Sequence, residues 1–147
     1  MKISTKFSDA IHILSFIYIY KGKIQLSSDN IARSVEISPV MVRNLMSQLR
    51  KGNLIETIHG SPNPELARPP KDISLLDIFL AIEKSHHLFT IDYETNPECI
   101  VGGNIQFTLE KYYNEAEIAA KAKLESTSLQ DIINTILVRN KEKQFTP

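Results

Sequence analysis

The chain has one cysteine, Cys99, among its 147 residues, so no intrachain disulfide can form and a secreted disulfide scaffold is excluded. A cytoplasmic location is the expectation that follows. Glycine and proline are scarce, at five and seven residues, beside a hydrophobic share of 42%. That composition supports a packed core and excludes a low-complexity or disordered chain. Long hydrophobic runs are missing as well. The apolar stretch Ala10–Tyr20 follows Met1–Lys6 as a signal peptide would, but Asp9 and His12 interrupt its start and no small-residue cleavage site follows. It is too short to span a bilayer and reads as a core helix, so no membrane partner is expected. Catalytic signatures are absent: there is no G-x-S-x-G, P-loop, Rossmann glycine motif or H-E-x-x-H. His12, His59, His86, His87 and Cys99 show no metal-ligand spacing. Asp77 and Glu83 imitate a carboxylate pair, but Asp77 is better placed as a helix cap. No enzyme, cofactor or metal is expected.

Net charge is also lacking, at zero, yet the charges are segregated. Residues 1–52 hold eight basic residues (Lys2, Lys6, Lys21, Lys23, Arg33, Arg43, Arg50, Lys51) against Asp9, Asp29 and Glu36, leaving the remainder acidic. A basic first third is what a phosphate-facing unit requires, although solvated faces can segregate charge without a partner.

The order of elements is legible from spacing. Phe7, Ala10, Ile11, Leu14, Ile17 and Tyr18 recur at three- and four-residue steps, which predicts one apolar stripe on a helix over residues 5–20. A second helix is expected over Ser28–Val35, with Glu36-Ile37 as a turn. Ser38 and Pro39 open a third, since serine caps orphan amides and proline suits the first helical position. That helix runs to Lys51, with Val42, Leu45, Met46 and Leu49 inward, and Gly52 is read as its stop. Leu54–Ile58 and Glu65–Ala67 form two strands around the turn residues 60–64. Ser74 and Asp77 make a capping box for a short helix reaching about Glu83. Residues 86–103 lack helical period. A long helix then spans 104–124, where Ile105, Leu109, Tyr112, Ala116 and Ala119 step as a helix–helix seam does. A last capped helix begins at Ser128, and the tail from Arg139 is expected to fray. The expected fold is mainly α with a small β-wing: a winged helix-turn-helix over residues 1–84, a connector over 85–103, dimerisation helices over 104–138 and a flexible tail over 139–147.

A helix entering a major groove offers base contacts from its exposed early positions, here Ser38, Pro39, Val40, Arg43, Asn44 and Ser47. Arginine pairs bidentately with guanine and asparagine with adenine, while Arg50 and Lys51 would meet phosphate. Taken alone, such a helix is an ordinary amphipathic surface. A short helix before it and a wing after it make DNA the favoured partner. Lys2, the wing residues His59 and Gly60, and Arg68 at the wing's base complete the candidate surface. Cys99 is either a small buried hydrophobe or a redox sensor.

Three segments carry a family resemblance: Met1-Lys2-Ile3-Ser4-Thr5-Lys6, Leu49-Arg50-Lys51-Gly52-Asn53-Leu54-Ile55, and above all the string from Leu66-Ala67-Arg68-Pro69-Pro70 to Ile78. Together they resemble the Rrf2 family of bacterial winged-helix regulators over nearly the whole chain. Asn96-Pro97-Glu98-Cys99 with Val101-Gly102 is similar to its YwnA-like branch. The resemblance implies a homodimer joined through the long helix, bound to a palindromic operator, and controlled by thiol chemistry or a ligand. A small thiol or electrophile at Cys99 is the partner implied for the thiol route. Two departures stand out. The family's iron–sulfur members carry three connector cysteines, where this chain has Cys99 alone, so a cluster is not expected. The usual glycine-rich wing is replaced by Ser61-Pro62-Asn63-Pro64. A repressor is therefore expected, with a ligand-controlled regulator and a protein-interaction module as the competing readings.

Overall fold

The computed structural model describes residues 4–58, 60–61 and 63–144. Helix α1 (Lys6–Tyr20) lies at the centre of an N-terminal head, packed on α2 (Ser28–Val35), α3 (Pro39–Lys51) and α4 (Leu75–Ile82). Its burial departs from the single stripe expected. Ala10, Ile13, Leu14, Phe16 and Ile17 are buried, whereas Tyr18 is half out in solvent. A helix with neighbours on several sides buries more than one face.

The helix starts follow local chemistry. Ser27 and Ser38 accept the Asn30 and Met41 amides at 3.1 Å each, which caps α2 and α3. The Ser74–Asp77 capping box is formed in both directions. Helix α3 ends at Gly52, as expected. Gly52 has φ −82°, and the left-handed residue is Asn53 at φ 59°. Glycine is instead required at 52 because a Cβ there would lie 2.8 Å from the Ala81 Cβ, so α4 packs against the end of α3.

Strands β1 (Ile55–Thr57) and β2 (Pro64–Leu66) pair antiparallel, Ile55 opposite Leu66 and Thr57 opposite Pro64. A 3-10 turn at Pro70–Asp72 leads from this wing to α4. The chain from Glu83 to Asn104 contains no helix or strand, and α5 (Ile105–Glu125) follows. Helix α6 (Leu129–Gln144) runs on through Arg139 to Gln144, where a frayed tail was expected, and residues 145–147 of that tail lie outside the described residues. Its first turns are anchored: Leu129 and Ile133 are fully buried in the head core, and Leu129 N–H donates to Ile73 O at 2.8 Å. Lys141 and Lys143 in the last turn complement the helix dipole. The start of α6 therefore belongs to the head rather than to a dimer unit separate from it.

Candidate nucleic-acid interface

Helix α3 buries Val42, Leu45, Met46 and Leu49 and leaves the opposite face open. On that face Val40, Arg43 and Asn44 are exposed and Ser47 is half-buried, at the three- and four-residue spacing that puts them in one row. The Arg43 and Asn44 side chains make no hydrogen bond or ion pair with the rest of the protein among the described residues. Ser38 and Pro39 form the start of this helix, and the Ser38 hydroxyl is engaged by the Met41 amide. Past them the first-turn amides and the positive end of the helix dipole face outward, an arrangement that favours an anion. Arg50 donates to Thr57 Oγ1 at 3.1 Å and ties α3 to β1, while Lys51 is exposed.

The wing is held down rather than free. Gly60 has φ 88°, a conformation suited to glycine, and the Ser61 amide donates to Ile58 O at 3.0 Å. The Leu26 amide donates to Asn63 Oδ1 at 3.0 Å, and Lys21 pairs with Glu65 at 3.4 Å. The wing thus leans on the loop before α2. Sequence reasoning took Asn63 only as a turn former, because nothing local signals a partner 37 positions away.

Arg68 is occupied within the protein. Its guanidinium donates to Asp72 O at 2.9 Å, Asn53 O at 3.0 Å and Asp77 Oδ2 at 2.9 Å, fastening the wing base to the α4 cap. Arg68 was expected on the DNA-facing surface, and in the structure its guanidinium is engaged in fastening the wing base. Burial pushes the Asp77 carboxyl up, but the Ser74 amide, the Arg68 guanidinium and the Ser74 hydroxyl together hold it below the ordinary value. Lys2 and His59 lie outside the described residues.

Cys99 is exposed, which removes the reading of a buried hydrophobe. The Gly102 and Val101 amides aim at its sulfur and draw the thiol below its ordinary pKa. The loop can close this tightly because its glycines lack side chains. A Cβ on Gly102 would collide with the Asn96 carbonyl oxygen, and one on Gly103 would lie 2.7 Å from Pro97 O.

Glu117, unnoticed in the sequence, is the one buried residue of α5. Its carboxylate accepts the Leu88 and Phe89 amides at 2.8 and 3.1 Å and faces His87 Nδ1 at 3.3 Å. It pins the connector to the long helix. Burial raises its pKa, yet the Phe89 and Leu88 amides and His87 outweigh that and leave it below the ordinary value.

Residues 3–135 match the family model described as Rrf2, iron-dependent transcriptional regulator. The chain belongs to the Rrf2 family. The Bacillus subtilis HTH-type transcriptional regulator YwnA is 37% identical over 132 residues, which cover 90% of this chain and 97% of YwnA. A crystal structure described as that of a DNA-binding protein matches with TM-score 0.68 and 34% identity, covering 87% of this chain and 98% of the other. The Bacillus subtilis global cysteine regulator CymR shares the fold, with TM-score 0.68 and 24% identity over 91% of this chain and 97% of CymR. This Rrf2 protein is thus a transcriptional regulator with a mainly helical winged fold, and its relatives are regulators rather than enzymes.

The iron of the family description does not fit the residues of this Rrf2 protein. Cys99 is its single thiol, and among the described residues no group of three or more His, Cys, Asp or Glu side chains could hold a metal ion. Among the same residues, no helix is long and apolar enough to cross a membrane.

Proposed function

We propose that this Rrf2 protein acts in the cytoplasm as a homodimeric repressor, binding a palindromic DNA operator with two copies of α3 in the major groove. The observation that carries this reading is the open face of α3, where the Arg43 and Asn44 side chains have no partner among the described residues. Arg43 reads a guanine and Asn44 an adenine, while Lys51 and Arg50 meet phosphate. The DNA-binding relative supports the assignment. Helix α5 supplies the dimer contact: of its 21 residues only Glu117 is buried, and Tyr112, Ala116 and Ala119 form an exposed row. Selection of bound fragments from random DNA tests the whole reading. Arg43→Ala should lose about 1–3 kcal/mol and relax preference at one position of each half-site, whereas Lys51→Ala should weaken all sequences alike and flatten the salt slope. Binding that shows no sequence preference and no salt dependence would favour a protein-interaction module instead. Ala116→Glu combined with Ala119→Glu should convert a sedimenting dimer to monomer.

Cys99 is the proposed control point. Its exposure and its two amide donors favour the thiolate, which peroxide converts to a sulfenic acid and a small thiol then caps as a mixed disulfide, with loss of water. Oxidant should release wild-type protein from DNA and leave Cys99→Ser bound. An identical response from both proteins would make the thiol structural.

A further inference from the structure

The connector and α5 enclose an open groove of about 740 Å³. This volume falls within the roughly 300–1,000 Å³ usual for small-molecule sites. Four aromatic side chains line it. Phe89 and Tyr113 pack at 5.2 Å between ring centroids, while Tyr93 and Phe107 stand 65% and 79% exposed. Two large aromatic side chains open to solvent beside a cavity are costly surface unless something covers them.

Besides the neutral Ser85, Thr90 and Asn114, the groove carries two carboxylates, His87 and Lys111. Glu117 lies at its base, and Glu110 accepts the Tyr93 hydroxyl at 3.0 Å on Oε1, leaving Oε2 without a hydrogen-bond partner among the described residues. Lys111 also lines the groove, and its ammonium lies 5.7 Å from the centroid of the Tyr112 ring. His87 is spent on Glu117. The surroundings have the same sign: residues 85–125 carry seven acids against three lysines.

The groove also stays open in the proposed dimer. At about 100° per residue, Phe107, Glu110, Asn114 and Glu117 share one side of α5, and Tyr112, Ala116 and Ala119 lie on the opposite side. A second copy seated on the alanine row leaves these aromatic rings uncovered.

Aromatic faces attract cations through the ring quadrupole, and nearby carboxylates add to that attraction. We propose that the groove between the connector and α5 is a binding site for a lipophilic organic cation, held between Tyr93 and Phe107 with Glu110 as its counter-ion. This adds a ligand class to the regulatory reading. Binding itself does not depend on the operator, so the two can fail separately.

The test uses the full chain without DNA and two ions of nearly the same shape and opposite charge, tetraphenylphosphonium and tetraphenylborate. Titration calorimetry and tyrosine fluorescence should show saturable binding of the phosphonium, at least about tenfold tighter than the borate. Glu110→Gln keeps an oxygen for Tyr93 but removes the charge, and should weaken the phosphonium by about tenfold or more. Tyr93→Ala and Phe107→Ala remove exposed rings and leave the head core untouched, so folding checked by circular dichroism should be unchanged while affinity falls. Equal binding of both ions, no saturation by the phosphonium, or full affinity in all three variants would overturn the proposal.

Discussion

The head and the connector–α5 arm are stabilised in opposite ways. Around α1, the head gathers nearly all the buried apolar side chains, including Ile13, Leu14, Leu45, Leu49 and Ile78, and draws in Leu129 and Ile133 from the far end of the chain. Helix α5 buries a single residue, and that residue is a glutamate. Ile118, Phe107 and Tyr112 stay in solvent along it. The head is therefore held by excluded water, whereas the arm is held by a few directed hydrogen bonds and by whatever covers its open faces. A regulator benefits from that division, since a rigid reading head can keep its shape while a weakly buried arm responds.

The sharpest contrast should come from truncating one side chain in each region. Leu49 is fully buried, so Leu49→Ala should cost about 2–5 kcal/mol in urea unfolding. Ile118 is 60% exposed, and Ile118→Ala should shift stability by less than about 0.5 kcal/mol. Equal effects would mean that the arm is as tightly packed as the head. Next in size is the α3–α4 contact. Gly52→Ala places a methyl 2.8 Å from the Ala81 Cβ and should cost about 1–3 kcal/mol, read from the same unfolding curves. Wild-type stability in that variant would mean the helices separate freely.

The arm has its own test in pH. Glu117 titrates lower in the folded chain than its ordinary value of 4.5, so its contribution is full above that value and is lost as pH falls toward the depressed folded value. Amide exchange at Leu88 and Phe89 should therefore quicken as the carboxylate protonates, once corrected for intrinsic rates, while the head core stays protected. Glu117→Ala, which removes the acceptor, should show quick exchange at every pH and lose the acid transition. The smallest effect belongs to α3. Ser38→Ala removes the hydroxyl that accepts the Met41 amide and should cost about 1 kcal/mol. Fraying should be confined to the first turn of α3, visible as loss of amide protection there.

What could be read in advance were features written in neighbouring residues. Ser38-Pro39, the Ser74–Asp77 box and the i, i+3, i+4 spacing of Val42, Leu45, Met46 and Leu49 placed the helices within a residue or two, because caps and amphipathic period act over one or two turns. The open face of α3, with Arg43 and Asn44, was legible for the same reason. The family resemblance rested on contiguous strings as well.

Tertiary structure decided what depends on residues distant in sequence. Arg68 was read as part of the candidate DNA surface, and its hydrogen bonds to Asp72, Asn53 and Asp77 could not be read from neighbouring residues. Gly52 was legible as the end of α3, but the methyl group 29 positions away that leaves no room for a Cβ there was not. The anchoring of α6 in the head through Leu129 and Ile133 was not legible either, since the core they enter is built from the far end of the chain. Glu117 gave no sign at all, since a lone acid on a helix is ordinary until backbone amides from another segment converge on it. Local hydrogen bonding and periodicity are set by sequence neighbours and are determined by the sequence directly. Which charges end up paired, and which faces end up open, is settled only when segments far apart in the chain compete for the same space.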